Sequence, residues 1–258
     1  MIPPFAGEIP FTGKKRSGLL GKISKKFHHI EETPPVKVVE EGKRDIINEA
    51  FRVVRGNIDF MIGRNSSDKV IMITSFNPGS GKSFITYNLA LSYCIKGKKI
   101  LIIDCDLRHG STSKIVGNPS KGLSTYLSGN ESDWKKLLLR SKENINLDIM
   151  PVGKIPPNPA ELLEEDKFNI MIGEARKEYD LIFLDCPPVN IVVDTQIVAQ
   201  IADRTIFIIR SGLLERSAIK ELNDFYKEKR FKNIGVILNG TDEVNSRYYT
   251  YGNYQNLN

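Results

Sequence analysis

Six short apolar runs, most of them rich in β-branched residues, recur along the chain: "KVIMITS" (69–75), "KILIID" (99–104), "LDIMPVG" (147–153), "DLIFLD" (180–185), "RTIFIIR" (204–210) and "NIGVILN" (233–239). Each has the length of a strand and too little alternation for one wet face. Stretches with apolar residues at helical spacing lie between them: residues 82–95, a helix opened by Asn158-Pro159 and running to Tyr179, and helices beginning near Asp194 and Glu215. The segment 111–141 reads as short helices broken by Gly and Pro. Strands buried on both faces and separated by amphipathic helices predict an α/β fold: a mainly parallel sheet with helices on both sides. A chain of 258 residues with 40% hydrophobic residues can build one large domain of this kind.

Before the first run, Ile46, Ile47, Ala50, Phe51, Val54, Ile58 and Met61 recur at helical spacing, with Asp45 as the N-cap. Residues 1–40 are rich in Pro, Gly, Lys and Glu and read as a basic arm and linker. The net charge of +6 is concentrated there: residues 1–30 carry +5 from Lys14, Lys15, Arg16, Lys22, Lys25 and Lys26 against Glu8. Such an arm attracts anionic surfaces. The apolar runs fall far short of the ~18 residues that span a bilayer, and no signal-peptide pattern opens the sequence, so a soluble chain is expected. Cys94, Cys105 and Cys186 have no metal or redox spacing and read as small buried hydrophobes in a reducing compartment. The last eleven residues hold four of the nine tyrosines, Tyr248, Tyr249, Tyr251 and Tyr254. The division expected is an arm over 1–40, a phosphate-binding domain over 41–240 and a tyrosine-rich tail over 241–258.

The segment "SFNPGSGKS" (75–83) follows a strand and opens a helix, the context of a Walker A loop. Backbone N–H groups from Gly79, Ser80, Gly81, Lys82, Ser83 and on to Phe84 can turn onto phosphate oxygens at the helix N-terminus. Lys82 would reach the β and γ phosphates, and the Ser83 hydroxyl would ligate Mg²⁺. Phe76 stands where the strict pattern has its first glycine. Two further strands end in acids. "LIFLDCPP" (181–188) has the Walker B form and presents Asp185, and "ILIIDCDLR" (100–108) presents Asp104 and Asp106. Ligands of open α/β sheets bind at that carboxyl edge, where carboxylates can hold Mg²⁺ or accept a proton.

The trio "PGSGKS", "ILIIDCDLR" and "LIFLDCPP" resembles the bacterial tyrosine kinases, the BY-kinases of the P-loop type, over most of residues 45–258. Their MinD/ParA ATPase relatives carry a signature lysine where Asn77 stands here. His109-Gly110 replaces the basic residue and proline often found after the arginine. The resemblance implies a P-loop NTPase architecture, ATP and Mg²⁺ as cofactors, and transfer of the γ-phosphate to tyrosine. It gives Asp104 the role of helping to deprotonate or orient the attacking phenol. It gives Asp106 and Asp185 that of holding Mg²⁺ or its waters, though the three roles could exchange. Asn239 is similar to the residue that reads adenine; Arg210 either lies nearby or has a solvent-facing or loop-capping role.

The resemblance also extends to "EAFRVVR" (49–55). Spacing alone allows an intrahelical Glu–Arg pair. The E-x-x-R-x-x-R motif of BY-kinases instead implies that Glu49, Arg52 and Arg55 join subunits of a ring-like homo-oligomer such as an octamer. "IPPFAGEIP" is similar to the segment after the second transmembrane helix of polysaccharide co-polymerases. It implies a partner region in the membrane, in the same or another chain, and a place at the cytoplasmic face of a bacterial inner membrane. The tail tyrosines are then acceptors for autophosphorylation, a tyrosine phosphatase would reverse it, and no nucleic-acid partner is expected.

Overall fold

The computed structural model describes residues 2–11, 37–63, 66–190 and 194–242. In chain order these form β1 (Phe5–Pro10), α1 (Ile46–Ile62), β2 (Val70–Ser75), α2 (Lys82–Cys94), β3 (Ile100–Asp104), α3 (Leu123–Leu127), β4 (Leu139–Arg140) and β5 (Leu147–Met150). There follow α4 (Pro159–Glu164), α5 (Asp166–Glu178), β6 (Leu181–Asp185), α6 (Asp194–Ile201), β7 (Arg204–Arg210), α7 (Arg216–Lys227) and β8 (Gly235–Thr241). Single 3₁₀ turns sit at Ser113–Val116 and Trp134–Leu137.

The strands make one sheet in the order β1-β8-β7-β2-β6-β3-β5-β4, parallel throughout except for the β4–β5 pair at one edge. Side-chain parity divides the core. Ile71, Ile73, Ile100, Ile102, Phe183, Ile206 and Ile208 face the layer of α1 and α2. Val70, Met72, Leu101, Ile103, Ile182, Leu184 and Phe207 face the layer built from α3 to α7. Every residue of β2, β3 and β6 is buried, which is why their sequences are apolar without alternation.

Four local outcomes differ from the reading of the sequence. Residues 5–10 are not part of an arm: β1 lies parallel to β8, with Ala6 and Ile9 wholly buried and Asn57 of α1 donating to the Ala6 carbonyl at 2.9 Å. The helix expected over 158–179 is two helices, because Glu165 is extended between them; both touch α3, and α4 also packs on α6 while α5 packs on β6. Residues 139–140, read within a helical segment, form β4. The last strand continues two residues beyond Asn239, to Thr241. The N-cap at Asp45 is present, its side chain accepting from the Asn48 N–H at 2.8 Å. Cys94, Cys105 and Cys186 are buried free thiols. Among the described residues no helix is long and apolar enough to cross a membrane.

Candidate active site

The strand order sets β2, β6 and β3 side by side, so the phosphate loop after β2 meets the carboxyl ends of β6 and β3. Asp104 and Asp185 are register partners across the β3–β6 pair. The loop itself needs glycine at two places: Gly79 and Gly81 have φ of +70° and +90°. A Cβ on Gly81 would also stand 2.2 Å from the Asn239 side-chain nitrogen. Phe76, at the position of the missing glycine, leaves the loop for the core, where its ring stacks on Phe225 at 6.0 Å. Asn77 offers its carbonyl to the Ser75 and Ser80 hydroxyls, at 2.8 and 2.7 Å. The Phe84 ring meets Phe51 of α1 edge-on at 6.1 Å.

β7 and β8 brace the loop from its other side. Arg210 Nη1 donates to the Gly79 carbonyl at 2.6 Å, and Asn239 Nδ2 donates to the Ser80 carbonyl at 2.9 Å. Arg210 and Asn239 are themselves register neighbours. Arg210 thus takes the loop-capping alternative, and Asn239, expected at adenine, holds a loop carbonyl and is buried beneath it.

The acids are enclosed and differently bonded. Ser83 Oγ and Thr112 Oγ1 both donate to Asp185 Oδ2 at 2.6 Å, while Asp185 Oδ1 is buried without a hydrogen-bond partner. Asp104 Oδ2 accepts from Ser113 N and Ser113 Oγ, each at 2.7 Å, and Oδ1 accepts from Asp106 N at 3.2 Å. Asp106 Oδ1 accepts the Arg108 and His109 N–H groups at 3.3 and 3.1 Å and faces His109 Nδ1 at 3.3 Å. Burial raises the Asp104 carboxyl well above the ordinary range, and the Asp185 charge raises it further, against the opposing hydrogen bonds of Ser113. Burial raises Asp185 too, opposed by Ser83, Thr112 and the Lys82 charge. Asp104 has no exposed surface, whereas Asp106 retains some.

A hard divalent cation fits these donors. A buried, unpartnered carboxylate oxygen beside a serine hydroxyl is an oxygen-only setting with one acceptor open. Among the described residues no cluster of three or more His, Cys, Asp or Glu side chains could hold an ion by itself. Mg²⁺ in phosphate sites commonly takes one or two protein ligands and completes its shell with water and phosphate.

The motif on α1 is not displayed as one surface. Arg52 pairs with Glu49 and also reaches the Lys43 carbonyl. Arg55 is buried, with Nη1 on the carbonyl and hydroxyl of Ser92 in α2, and burial lowers its pKa. The expectation of a three-residue interface thus meets two partly exposed side chains and one turned inward. Tyr248, Tyr249, Tyr251 and Tyr254 lie outside the described residues. Reading the sequence also passed over Thr112, Ser113 and Asp194. The last is a fully buried carboxylate that pairs with both Nε and Nη2 of Arg108, at 3.1 and 3.3 Å. A hydroxyl pair a few residues past "DCD" was the only trace of the first two.

A parallel sheet with a phosphate loop after one strand and acids closing two neighbours defines a P-loop nucleotide-binding protein. A chain of the MinC:MinD cell division protein complex of Aquifex aeolicus has this fold, with a TM-score of 0.55 at 24% identity over 66% of this chain and 68% of that one. Residues 68–234 match the AAA domain family model. The chain is 36% identical over 209 residues to tyrosine-protein kinase CpsD of Streptococcus agalactiae, covering 80% of this chain and 89% of CpsD. It is 32% identical over 212 residues to tyrosine-protein kinase Wzc of Salmonella typhimurium, covering 82% of this chain and 29% of Wzc. The kinase domain of Escherichia coli tyrosine kinase ETK superposes with a TM-score of 0.78 at 29% identity, over 95% of this chain and 92% of that one. The chain belongs to the bacterial tyrosine-protein kinase family.

Proposed function

We propose that this chain is an ATP- and Mg²⁺-dependent protein-tyrosine autokinase, that its acceptors are Tyr248, Tyr249, Tyr251 and Tyr254, and that it regulates capsular or exopolysaccharide synthesis and export. The observation that carries the site is the Ser83–Asp185 pair with its open Oδ1, set beside the Lys82 charge and across from Asp104. Backbone N–H groups of residues 79–84 and the Lys82 ammonium would take the phosphate oxygens. Ser83 and Asp185 would hold Mg²⁺, with Asp106 on its waters, and the ion would neutralise charge on the phosphates. In the transfer, the phenol oxygen bonds to the γ-phosphorus as the bond to the bridging oxygen breaks, and ADP leaves. The phenolic proton passes to a carboxylate. We assign it to Asp104, the register partner of Asp185 at the carboxyl edge of the sheet.

The acceptor assignment rests on reach. β8 ends at Thr241 on the ligand edge, and Tyr248 follows seven residues later, at most roughly 25 Å when extended. The phosphate loop follows β2, two strands away, about 10 Å. The tail can enter its own site or a neighbour's. We place the neighbour in a ring-like homo-oligomer such as an octamer, contacted through Glu49 and Arg52. We further place a transmembrane co-polymerase region in the same or a partner chain at the cytoplasmic face of the inner membrane, and a tyrosine phosphatase as the opposing enzyme. Wzc is more than three times as long as the stretch it shares with this chain, which suits such an arrangement. Incubation with ATP and Mg²⁺ followed by phosphotyrosine detection tests the reading. Wild type is expected to give a signal that Lys82→Met reduces by at least about 100-fold. A silent wild type, or an undiminished variant, removes it.

A further inference from the structure

Asp185 is held by two hydroxyls that come from different elements. Ser83 opens α2, and Thr112 sits in the turn after β3 with no exposed surface. Both bonds fall on Oδ2 and leave Oδ1 buried and open. A serine hydroxyl that ligates a cation through an oxygen lone pair can still donate its O–H to the carboxylate, but its position is then tied to the cation and the phosphate loop. The Thr112 hydroxyl comes from the opposite loop, outside the phosphate-binding segment, and reaches Oδ2 independently of it.

We propose that Thr112 is a positioning residue for the metal site: by holding Asp185 through Oδ2, it keeps the carboxylate from rotating and reserves Oδ1 for the cation. The inference rests on the Mg²⁺–nucleotide reading of the site and is independent of tyrosine transfer. Two features of the turn support it. Ser113, the next residue, ties Asp104 in the same way and in turn accepts the Val152 N–H at 2.8 Å, so the turn is anchored to β5's end and cannot drift with its ligand. Thr112 and Ser113 thereby clasp the ends of two adjacent strands, one acid each. Partners of this outer kind typically change metal affinity by 10–100-fold when removed.

The test is binding of a fluorescent ADP analogue to the full chain, with Mg²⁺ and with excess EDTA, for wild type, Thr112→Val, Thr112→Ala and Thr112→Ser. Melting temperatures would be read in parallel. Val and Ala are expected to weaken Mg²⁺-dependent binding by about tenfold and to leave binding in EDTA within about twofold, while Ser restores the wild-type value. Unchanged Mg²⁺-dependent binding in Val and Ala overturns the proposal. An equal loss with and without Mg²⁺ overturns it in favour of a loop-building role, as does a Ser variant as weak as Val. If Val does not fold, Ala and Ser decide by the same criteria. If wild type shows no Mg²⁺-dependent binding, the nucleotide reading fails first, and Thr112 has no such role.

Discussion

At the scale of single residues, Arg55 and Arg52 separate what the sequence presents as one motif. They sit three positions apart on α1, yet Arg52 lies on a partly exposed face and Arg55 against Ser92 of α2. Arg55 Nε is buried without a partner, so the guanidinium is held but not fully satisfied. Removing it leaves the Ser92 carbonyl and a cavity in the α1–α2 layer. Arg55→Ala is expected to cost about 2–3 kcal/mol in urea unfolding, and Arg52→Ala less than about 0.5 kcal/mol. Equal costs would mean that Arg55 is as dispensable to the protomer as a surface side chain. A loss of assembly in Arg55 variants would then have to be read together with their stability. Which of two arginines turns inward depends on a second helix, and α1's own periodicity does not carry it. Phe76 shows the opposite case. Its departure from the glycine pattern is visible at once, and only its stacking on Phe225 explains why the loop is undisturbed.

At the scale of elements, β1 is the clearest case of structure supplied from a distance. "FAGEIP" has a Gly, an ending Pro and no long apolar run, so nothing local favours a strand. Its conformation comes from β8, more than two hundred residues away, and from the underside of α1. Ile9→Ala is expected to cost about 3 kcal/mol, as for a fully buried core residue. A cost below about 1 kcal/mol in the same urea titration would show that β1 adds little to the sheet. The strand–loop–helix unit around Gly81 was legible for the converse reason: apolar strand, loop and cap are contiguous in sequence. So were the acids, because a strand's last residue marks the ligand edge wherever the strand lies in the sheet. The clasp at Thr112 and Ser113 was not, since its meaning depends on β3 and β6 being neighbours. The break at Glu165 was equally hidden: it lets α4 reach α6 and α5 reach β6 while both touch α3, and those neighbours are set by the fold.

At the scale of the whole molecule, the proposed ring and the acceptor tail are linked by charge. Each phosphate adds about −1.5 to −2 at neutral pH, delivered to a site that already encloses Asp104, Asp106 and Asp185. Multiply phosphorylated tails are expected to leave the sites and loosen the assembly. Light scattering should give a smaller particle for protein incubated with ATP and Mg²⁺ than for the same sample after phosphatase treatment. Identical masses would remove the switch while leaving the kinase reading intact. The pairing of β1 with β8 has a further consequence, in time. At about 5–20 residues per second, ribosomal synthesis separates these neighbours by on the order of 10–50 s. Throughout that interval Ala6 and Ile9 have no sheet to join, and the nascent chain carries an unclosed edge until Gly235–Thr241 emerges. Closure of this edge thus waits for β8, and β1, made well before it, docks only then.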